Sequence, residues 1–258
     1  MVGCGIDAGS RAMKVVLMEA AGRRVIASAH ADQRPDQKKL AEELRGQALR
    51  AGQIALSRVA KTVATGYGRQ LVGKADMVIT EISCQARGVT SLIPEAKVIV
   101  DIGGQDSKVI YLDERGVRDF AMNDRCAAGT GQFLEMAARR LGIPLPELGM
   151  RAAGSRSPAT ITSMCAVFAE TEIVSLLASG IHPEDVAAGV LRSISQRVAS
   201  LGTRGLSGPV VFTGGAALIP GLDGILSQAL GLPVTVAADP HLTAARGAAL
   251  LACEMIAS

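Results

Sequence analysis

At 258 residues the chain is long enough to bury a core and to form two small lobes around a cleft. A net charge of +3 without a dense Lys/Arg block argues against nucleic acid, and 2% aromatics with no Trp leave no base-stacking platform. No apolar run is long enough to cross a membrane, and Met1-Val2-Gly3-Cys4-Gly5-Ile6-Asp7 is not a basic-then-apolar leader, so the expected location is the cytoplasm.

Residues 2–7 read as a short apolar strand and 13–20 as a second; Gly22 turns the chain into a third at 24–31. Pro35 is expected to open a helix over 35–51. A strand follows at 59–65, ended by Gly66-Tyr67-Gly68, and then a helix at 81–92. The opening then recurs. Val98-Ile99-Val100-Asp101-Ile102-Gly103-Gly104 leads through Gln105-Asp106-Ser107-Lys108 into a strand ending at Asp113. The first copy runs Gly5-Ile6-Asp7-Ala8-Gly9-Ser10, then Arg11 to Lys14 and on to Glu19. Asp and Lys stand seven residues apart in both copies, as in a duplicated β-hairpin whose turn carries Asp and Gly. The second half is more helical, with helices expected at 127–142, 166–179, 183–203, 218–230 and 242–256 and strands at 209–213 and 233–236. The expected architecture is α/β, with two similar lobes. Residues 1–100 with 241–258 form the first, and 101–240 form the second, which carries Cys126 and Cys165.

An Asp-x-Gly turn suits a nucleotide's phosphate tail. Glycine lets backbone N–H groups approach phosphate oxygens, and the carboxylate can hold Mg²⁺ through water. Gly9, Gly103 and Gly104 are therefore the candidate phosphate contacts, with Ser10 within reach of a phosphate oxygen. Asp7 and Asp101 are the candidate Mg²⁺- or water-positioning acids, and Gln105 is the group that would orient the attacking water. Lys14 and Lys108 follow the turns, where each is either a phosphate contact or a solvated strand lysine. Val210-Val211-Phe212-Thr213-Gly214-Gly215-Ala216 adds a glycine pair that could bring backbone against the adenosine.

Five cysteines, an odd number in a chain read as cytoplasmic, argue against a disulfide framework, and the lack of a C-x-x-C pair argues against a zinc ribbon. Cys4, Cys84 and Cys253 lie in apolar or helical contexts and read as core filling. Cys126 stands in Asn123-Asp124-Arg125-Cys126-Ala127-Ala128-Gly129-Thr130-Gly131, where Gly129 and Thr130 are expected to lie against a bound ligand. Cys165 has a similar setting, Thr162-Ser163-Met164-Cys165-Ala166. Both precede expected helices, and a helix N-terminus favours a thiolate. His30, His182 and His241 form no ligand pattern.

The three glycine segments resemble the phosphate-1, phosphate-2 and adenosine motifs of the acetate/sugar kinase–Hsc70–actin superfamily. Asn123–Glu135, Asp101–Lys108 and Cys165–Glu172 resemble, more narrowly, the activator ATPases of 2-hydroxyacyl-CoA dehydratases and their benzoyl-CoA reductase relatives. The resemblance runs over essentially the whole chain, and Asp-Arg-Cys-Ala-Ala-Gly-Thr-Gly is its specific part. Arg11-Ala12-Met13 stands where that family has small hydroxyl residues, and Ala216-Ala217-Leu218 where it has a Val-Ala-x-Asn-like run. The resemblance implies an actin-like ATPase fold of two duplicated ribonuclease-H-like lobes. It implies a homodimer holding one [4Fe–4S] cluster through Cys126 and Cys165 of each copy, and ATP/ADP with Mg²⁺ as further cofactors. Ferredoxin or flavodoxin would be the electron donor, and an iron–sulfur CoA-ester dehydratase or reductase the acceptor. A four-iron cluster wants four thiolates, so two motif cysteines per chain call for a symmetric pair. A cluster held in one subunit with Cys84 recruited is the variant reading. A sugar or carboxylate kinase of the same superfamily competes with the activase reading but leaves Cys126 and Cys165 without a role. A nucleotide-gated binding module without metal is the third reading.

Overall fold

The computed structural model describes residues 1–202 and 205–257. In chain order the elements are β1 (Val2–Ala8), β2 (Ala12–Glu19), β3 (Val25–Asp32), α1 (Gln37–Ala51), β4 (Val59–Thr65), β5 (Met77–Val78), α2 (Glu81–Thr90), β6 (Val98–Ile102), β7 (Ser107–Asp113), β8 (Gly116–Asn123), α3 (Gly131–Leu141), α4 (Leu148–Ala153), α5 (Ala166–Ala178), α6 (Pro183–Leu201), β9 (Val210–Thr213), α7 (Leu222–Leu230), β10 (Val234–Val236) and α8 (Thr243–Ala257). Thr203, the end of the expected 183–203 helix, and Ser258, the end of the expected first lobe, lie outside the described residues.

The chain divides into two compact units, one of Met1–Glu95, Asp113–Val117 and Ala237–Ser258, the other of Ala96–Leu112 and Arg118–Val236. The first holds a five-stranded sheet in the order β3-β2-β1-β4-β5, the second a five-stranded sheet in the order β10-β9-β6-β7-β8. Read from opposite edges these are the same topology. In each, a buried apolar strand (β1 or β6) pairs antiparallel with the next strand and parallel with a later one, β4 or β9. A parallel partner needs a crossover, which is why α1 precedes β4 and the block α3–α6 precedes β9.

Helices cover the sheets and supply the cores. In the first unit α8 lies on β1, where a side chain at Gly5 would overlap the Ala245 carbonyl. The backbones of α2 and α8 meet at Gly88 and Gly247, which allow close helix packing. In the second unit Val100, Ile102, Phe133, Ile173, Leu191, Ile194 and Phe212 form one buried cluster under α3, α5 and α6.

Three elements went unread in the sequence: the short edge strand β5, the short helix α4 and the edge strand β8. β8 alternates Arg118, Phe120 and Met122 with smaller or polar residues, and its charges mask an edge strand that buries little. The helix expected from Pro35 begins at Gln37, because the Asp36 side chain accepts the Lys39 N–H and caps it there. The helix expected over 127–142 is a single tight turn at Ala127–Gly129, followed by extended Thr130 and then α3. The helix expected over 218–230 begins at Leu222, since Pro220 and left-handed Gly221 interrupt it.

Candidate functional site

In the first unit, register places Lys14 directly opposite Asp7 across the β1–β2 hairpin, and the lysine Nζ lies 3.0 Å from Asp7 Oδ2. Asp7 is buried, and its Oδ1 has no hydrogen-bond partner among the described residues. Gly9 and Ser10 form the half-exposed turn beyond it, and Gln33 Nε2 donates to the Gly9 carbonyl at 2.6 Å. On the parallel side Asp7 pairs in register with Thr65. The next residue, Gly66, has φ +89°, and any side chain there would collide with the Asp7 carboxylate.

The second unit repeats this geometry. Lys108 lies opposite Asp101 in the β6–β7 hairpin, and Thr213 is its parallel neighbour on β9. Thr213 Oγ1 donates to Asp101 Oδ1 at 3.0 Å. Gly214 has φ +87°, and a Cβ there would sit 2.9 Å from Asp101 Oδ1 and overlap the Ile102 carbonyl. Lys108 Nζ lies 3.5 Å from Asp101 and 2.9 Å from Asp106 with its side chain only 2% exposed. It is therefore neither a solvated strand lysine nor a freely reaching one. Gly103 and Gly104 form the turn, closed by the Gly103 N–H donating to the Asp106 carbonyl at 2.9 Å, with Gln105 exposed at its tip. Gly215 is exposed beside Gly214, and Ala216 is buried behind it.

The same turn is tied to the Cys126 segment. The Gly103 carbonyl accepts the Gly131 N–H at 2.8 Å, and the Gly104 carbonyl accepts the Gln132 N–H at 2.9 Å. Gly129 and Thr130 are buried in that connection, with Thr130 Oγ1 donating to the Ala127 carbonyl at 2.8 Å. Cys126 is exposed and gripped by Asn123, whose Nδ2 donates to the Cys126 carbonyl at 2.7 Å and whose Oδ1 accepts the Cys126 N–H at 3.1 Å. Cys165 is also exposed and is the N-terminal cap residue of α5. The two cysteine loops adjoin, since Cys126 Sγ lies 3.9 Å from the carbonyl oxygen of Met164, the residue before Cys165. Cys126 and Met164 also line one pocket of about 520 Å³, together with Ser107, Asn123 and Arg197.

Side chains from later helices hold the Cys165 loop. Glu172 on α5 accepts the Thr162 N–H at 2.8 Å, the Thr162 hydroxyl at 2.7 Å and the Ser163 N–H at 2.9 Å. Burial alone would raise its pKa, but these hydrogen bonds outweigh it and hold the carboxyl down at about 2. Arg140 on α3 pairs with Glu170 on α5 at 2.6 Å, joining the helices that follow the two cysteines. The other cysteines differ in kind. Cys4, Cys84 and Cys253 are buried, and desolvation pushes the Cys4 thiol up to about 12 and the Cys84 thiol to about 11. Neither is a ready thiolate donor, which argues against recruiting Cys84.

Residues 4–252 match the model of the BadF/BadG/BcrA/BcrD ATPase family. The chain belongs to this ATPase family. It is 40% identical over 255 residues to a 2-hydroxyisocaproyl-CoA dehydratase activator from Clostridioides difficile, covering 97% of this chain and 94% of that one. The crystal structure of (R)-2-hydroxyglutaryl-CoA dehydratase component A from Acidaminococcus fermentans superposes with a TM-score of 0.95 at 36% identity, over the full length of both chains. An activator of the 2-hydroxyisocaproyl-CoA dehydratase from Clostridium difficile with bound ADPNP matches with a TM-score of 0.92 at 38% identity, over 99% of this chain and 95% of that one. The expected actin-like ATPase fold is thereby borne out, with one copy of the duplicated sheet topology in each unit.

Within this BadF/BadG/BcrA/BcrD ATPase, the candidate residues fall into two groups by unit. Asp7, Gly9, Ser10 and Lys14 meet around one hairpin. Asp101, Gly103, Gly104, Gln105, Gly214, Gly215 and Ala216 meet around the other, which is bonded to the segment bearing Gly129, Thr130 and Cys126. Sequence reasoning passed over Thr65 and Gly66. The signal was present as a second internal repeat, Val63-Ala64-Thr65-Gly66 against Val211-Phe212-Thr213-Gly214. Asn123, Glu172 and Arg197 were also missed as supports of the cysteines, and no local pattern marks the last two.

Proposed function

We propose that this chain is an ATP-dependent electron-transfer activase that passes one electron at low potential to an iron–sulfur CoA-ester dehydratase or reductase. The observation that carries this is the pair of exposed thiols, Cys126 and Cys165, on adjoining loops of one unit. Two thiolates make half of the set a [4Fe–4S] cluster needs, so two copies of the chain would hold one cluster between them. Met164, Val167 and Phe168 beside Cys165 are 80%, 68% and 70% exposed, an apolar surface that a second copy would cover. The first-turn N–H groups of α5 add positive potential at Cys165, which favours an anionic site. When bound, the cluster supplies one-electron transfer, with ferredoxin or flavodoxin as the proposed donor.

The remaining chemistry belongs to the protein's own groups. Gly9, Ser10, Gly103 and Gly104 would offer backbone and hydroxyl donors to phosphate oxygens. The unpartnered Oδ1 of Asp7 fits a Mg²⁺-bound water, and Asp101 is the matching acid of the second unit. Gln105 would orient the attacking water, and Lys14 would accompany the phosphates from its place beside Asp7. Gly214, Gly215 and Ala216 would meet the adenosine. A phosphate-dependent change at Gly103 and Gly104 has a direct route to Cys126, because those two carbonyls hold the start of α3. A kinase would leave the paired exposed thiols and this link unused.

The test is anaerobic purification of the wild type and Cys126→Ala, with iron analysis and nucleotide binding. The wild type is expected as a brown dimer with about four irons per pair. The variant should lose the iron, keep nucleotide binding and deliver no electrons. Unchanged iron in Cys126→Ala would refute the assignment.

A further inference from the structure

Arg197 stands on α6, remote in sequence from both cysteines, yet it bonds the backbone before Cys165 and lies over Phe133 of the helix that follows the Cys126 segment. Its Nη2 donates to the Ser163 carbonyl at 2.7 Å, and its Nη1 donates to the Met164 carbonyl at 3.2 Å. Those are the last two carbonyls before Cys165. Its Nε reaches Ser193 Oγ at 3.3 Å, one turn earlier on the same helix, which orients the guanidinium. The guanidinium carbon lies 5.9 Å from the centre of the Phe133 ring, and Phe133 is fully buried on α3, the helix that follows the Cys126 segment. Arg197 also lines the pocket that contains Cys126.

The Met164 carbonyl is shared. It faces Cys126 Sγ at 3.9 Å and accepts from Arg197 at 3.2 Å. A carbonyl oxygen facing the sulfur of an anionic cluster ligand is repulsive, unless a donor draws charge off that oxygen. A guanidinium does this and adds a permanent positive charge on the ligand side of the site.

We propose that Arg197 is a positioning residue for the cluster ligands: its fork locks the Ser163–Met164 backbone so that Cys165 and Cys126 are presented together, and its charge offsets the two thiolates. This rests on the cluster reading above. Glu172 secures the N–H side of the same loop through Thr162 and Ser163, so the segment is held from both its donors and its acceptors. Supports of this kind typically change metal retention by about 10–100-fold when removed.

The experiment compares wild type, Arg197→Gln, Arg197→Lys and Cys126→Ala as full-length chains reconstituted anaerobically with iron and sulfide. Readouts are iron per chain, the rate of iron loss to a chelator, the midpoint potential by EPR-monitored titration, and ADP binding with thermal unfolding as fold controls. Arg197→Gln should bind ADP normally, lose iron about 10-fold faster and show a more negative potential. Arg197→Lys keeps the charge but not the fork. It should lose iron fast as well, with a potential close to wild type. If Arg197→Gln fails the fold controls, Arg197→Lys decides alone: fast iron loss supports the proposal, and a wild-type rate overturns it. Wild-type iron loss in a folded Arg197→Gln, beside a Cys126→Ala variant that holds no iron, overturns the role of Arg197 and leaves the cluster reading standing. Iron retained in Cys126→Ala overturns the cluster reading itself.

Discussion

Replacing Lys108 with Met should be among the most damaging single changes in the second unit. The Lys108 side chain is 2% exposed, and its ammonium lies between the side chains of Asp101, 7% exposed, and Asp106, 23% exposed. Methionine matches the stem in length and keeps its packing, so the loss is the ammonium, with its charge and its hydrogen bonds. Removing one partner of a buried pair costs about 3–5 kcal/mol, chiefly because the remaining charge is left uncompensated. For a chain of this size each kcal/mol moves Tm by about 2–4 °C, so the transition of the second unit should fall by roughly 6–20 °C. Lys14→Met supplies an internal comparison. Lys14 occupies the same register position in the first hairpin, but its side chain is 17% exposed, and water can replace more of what is lost. It should cost half as much or less. The double variant Asp106→Asn/Lys108→Met should regain part of the stability by removing one unpaired carboxylate. Differential scanning calorimetry of all four proteins at pH 7 reads these shifts. A fall of less than 2 °C in Lys108→Met, or an equal fall in Lys14→Met, would refute the reasoning.

Three further outcomes follow from the geometry. Gly66→Ala and Gly214→Ala should each destabilise their unit by about 1–3 kcal/mol from backbone strain, before any collision with Asp7 or Asp101 is counted, and should lower ATPase activity; paired thermal scans and phosphate-release assays check both. Glu172→Gln should speed amide hydrogen exchange at Thr162 and Ser163 at pH 7, because the carboxylate that accepts both N–H groups loses its charge. The wild-type carboxyl has its folded pKa lowered to about 2 from the ordinary 4.5, so its stabilisation is complete above 4.5 and fades as pH falls toward 2. Carboxyl NMR should place its midpoint near the lower value, and a midpoint at 4.5 would contradict the observed anchoring.

Much of this protein is written locally. The Asp-to-Lys spacing recurs in sequence and becomes the same cross-strand pair in each hairpin, because strand register follows from turn length and side-chain alternation. The polar turn before Cys126 and the helix start at Cys165 were equally legible, since both have local composition, but Cys126 precedes a single tight turn and not the helix expected there. Helix starts at Gln37, Gly131 and Leu222 were misplaced by a few residues, because a capping aspartate, an extended threonine and a proline–glycine break each overrode helical periodicity. Tertiary structure alone decided how far each lysine is buried and brought Thr65 beside Asp7 and Thr213 beside Asp101. It also carried Arg197 to the carbonyls before Cys165. The physical reason is one of range. Periodicity and turn chemistry act over a few neighbouring residues, whereas burial and polar partners depend on which elements come to pack together.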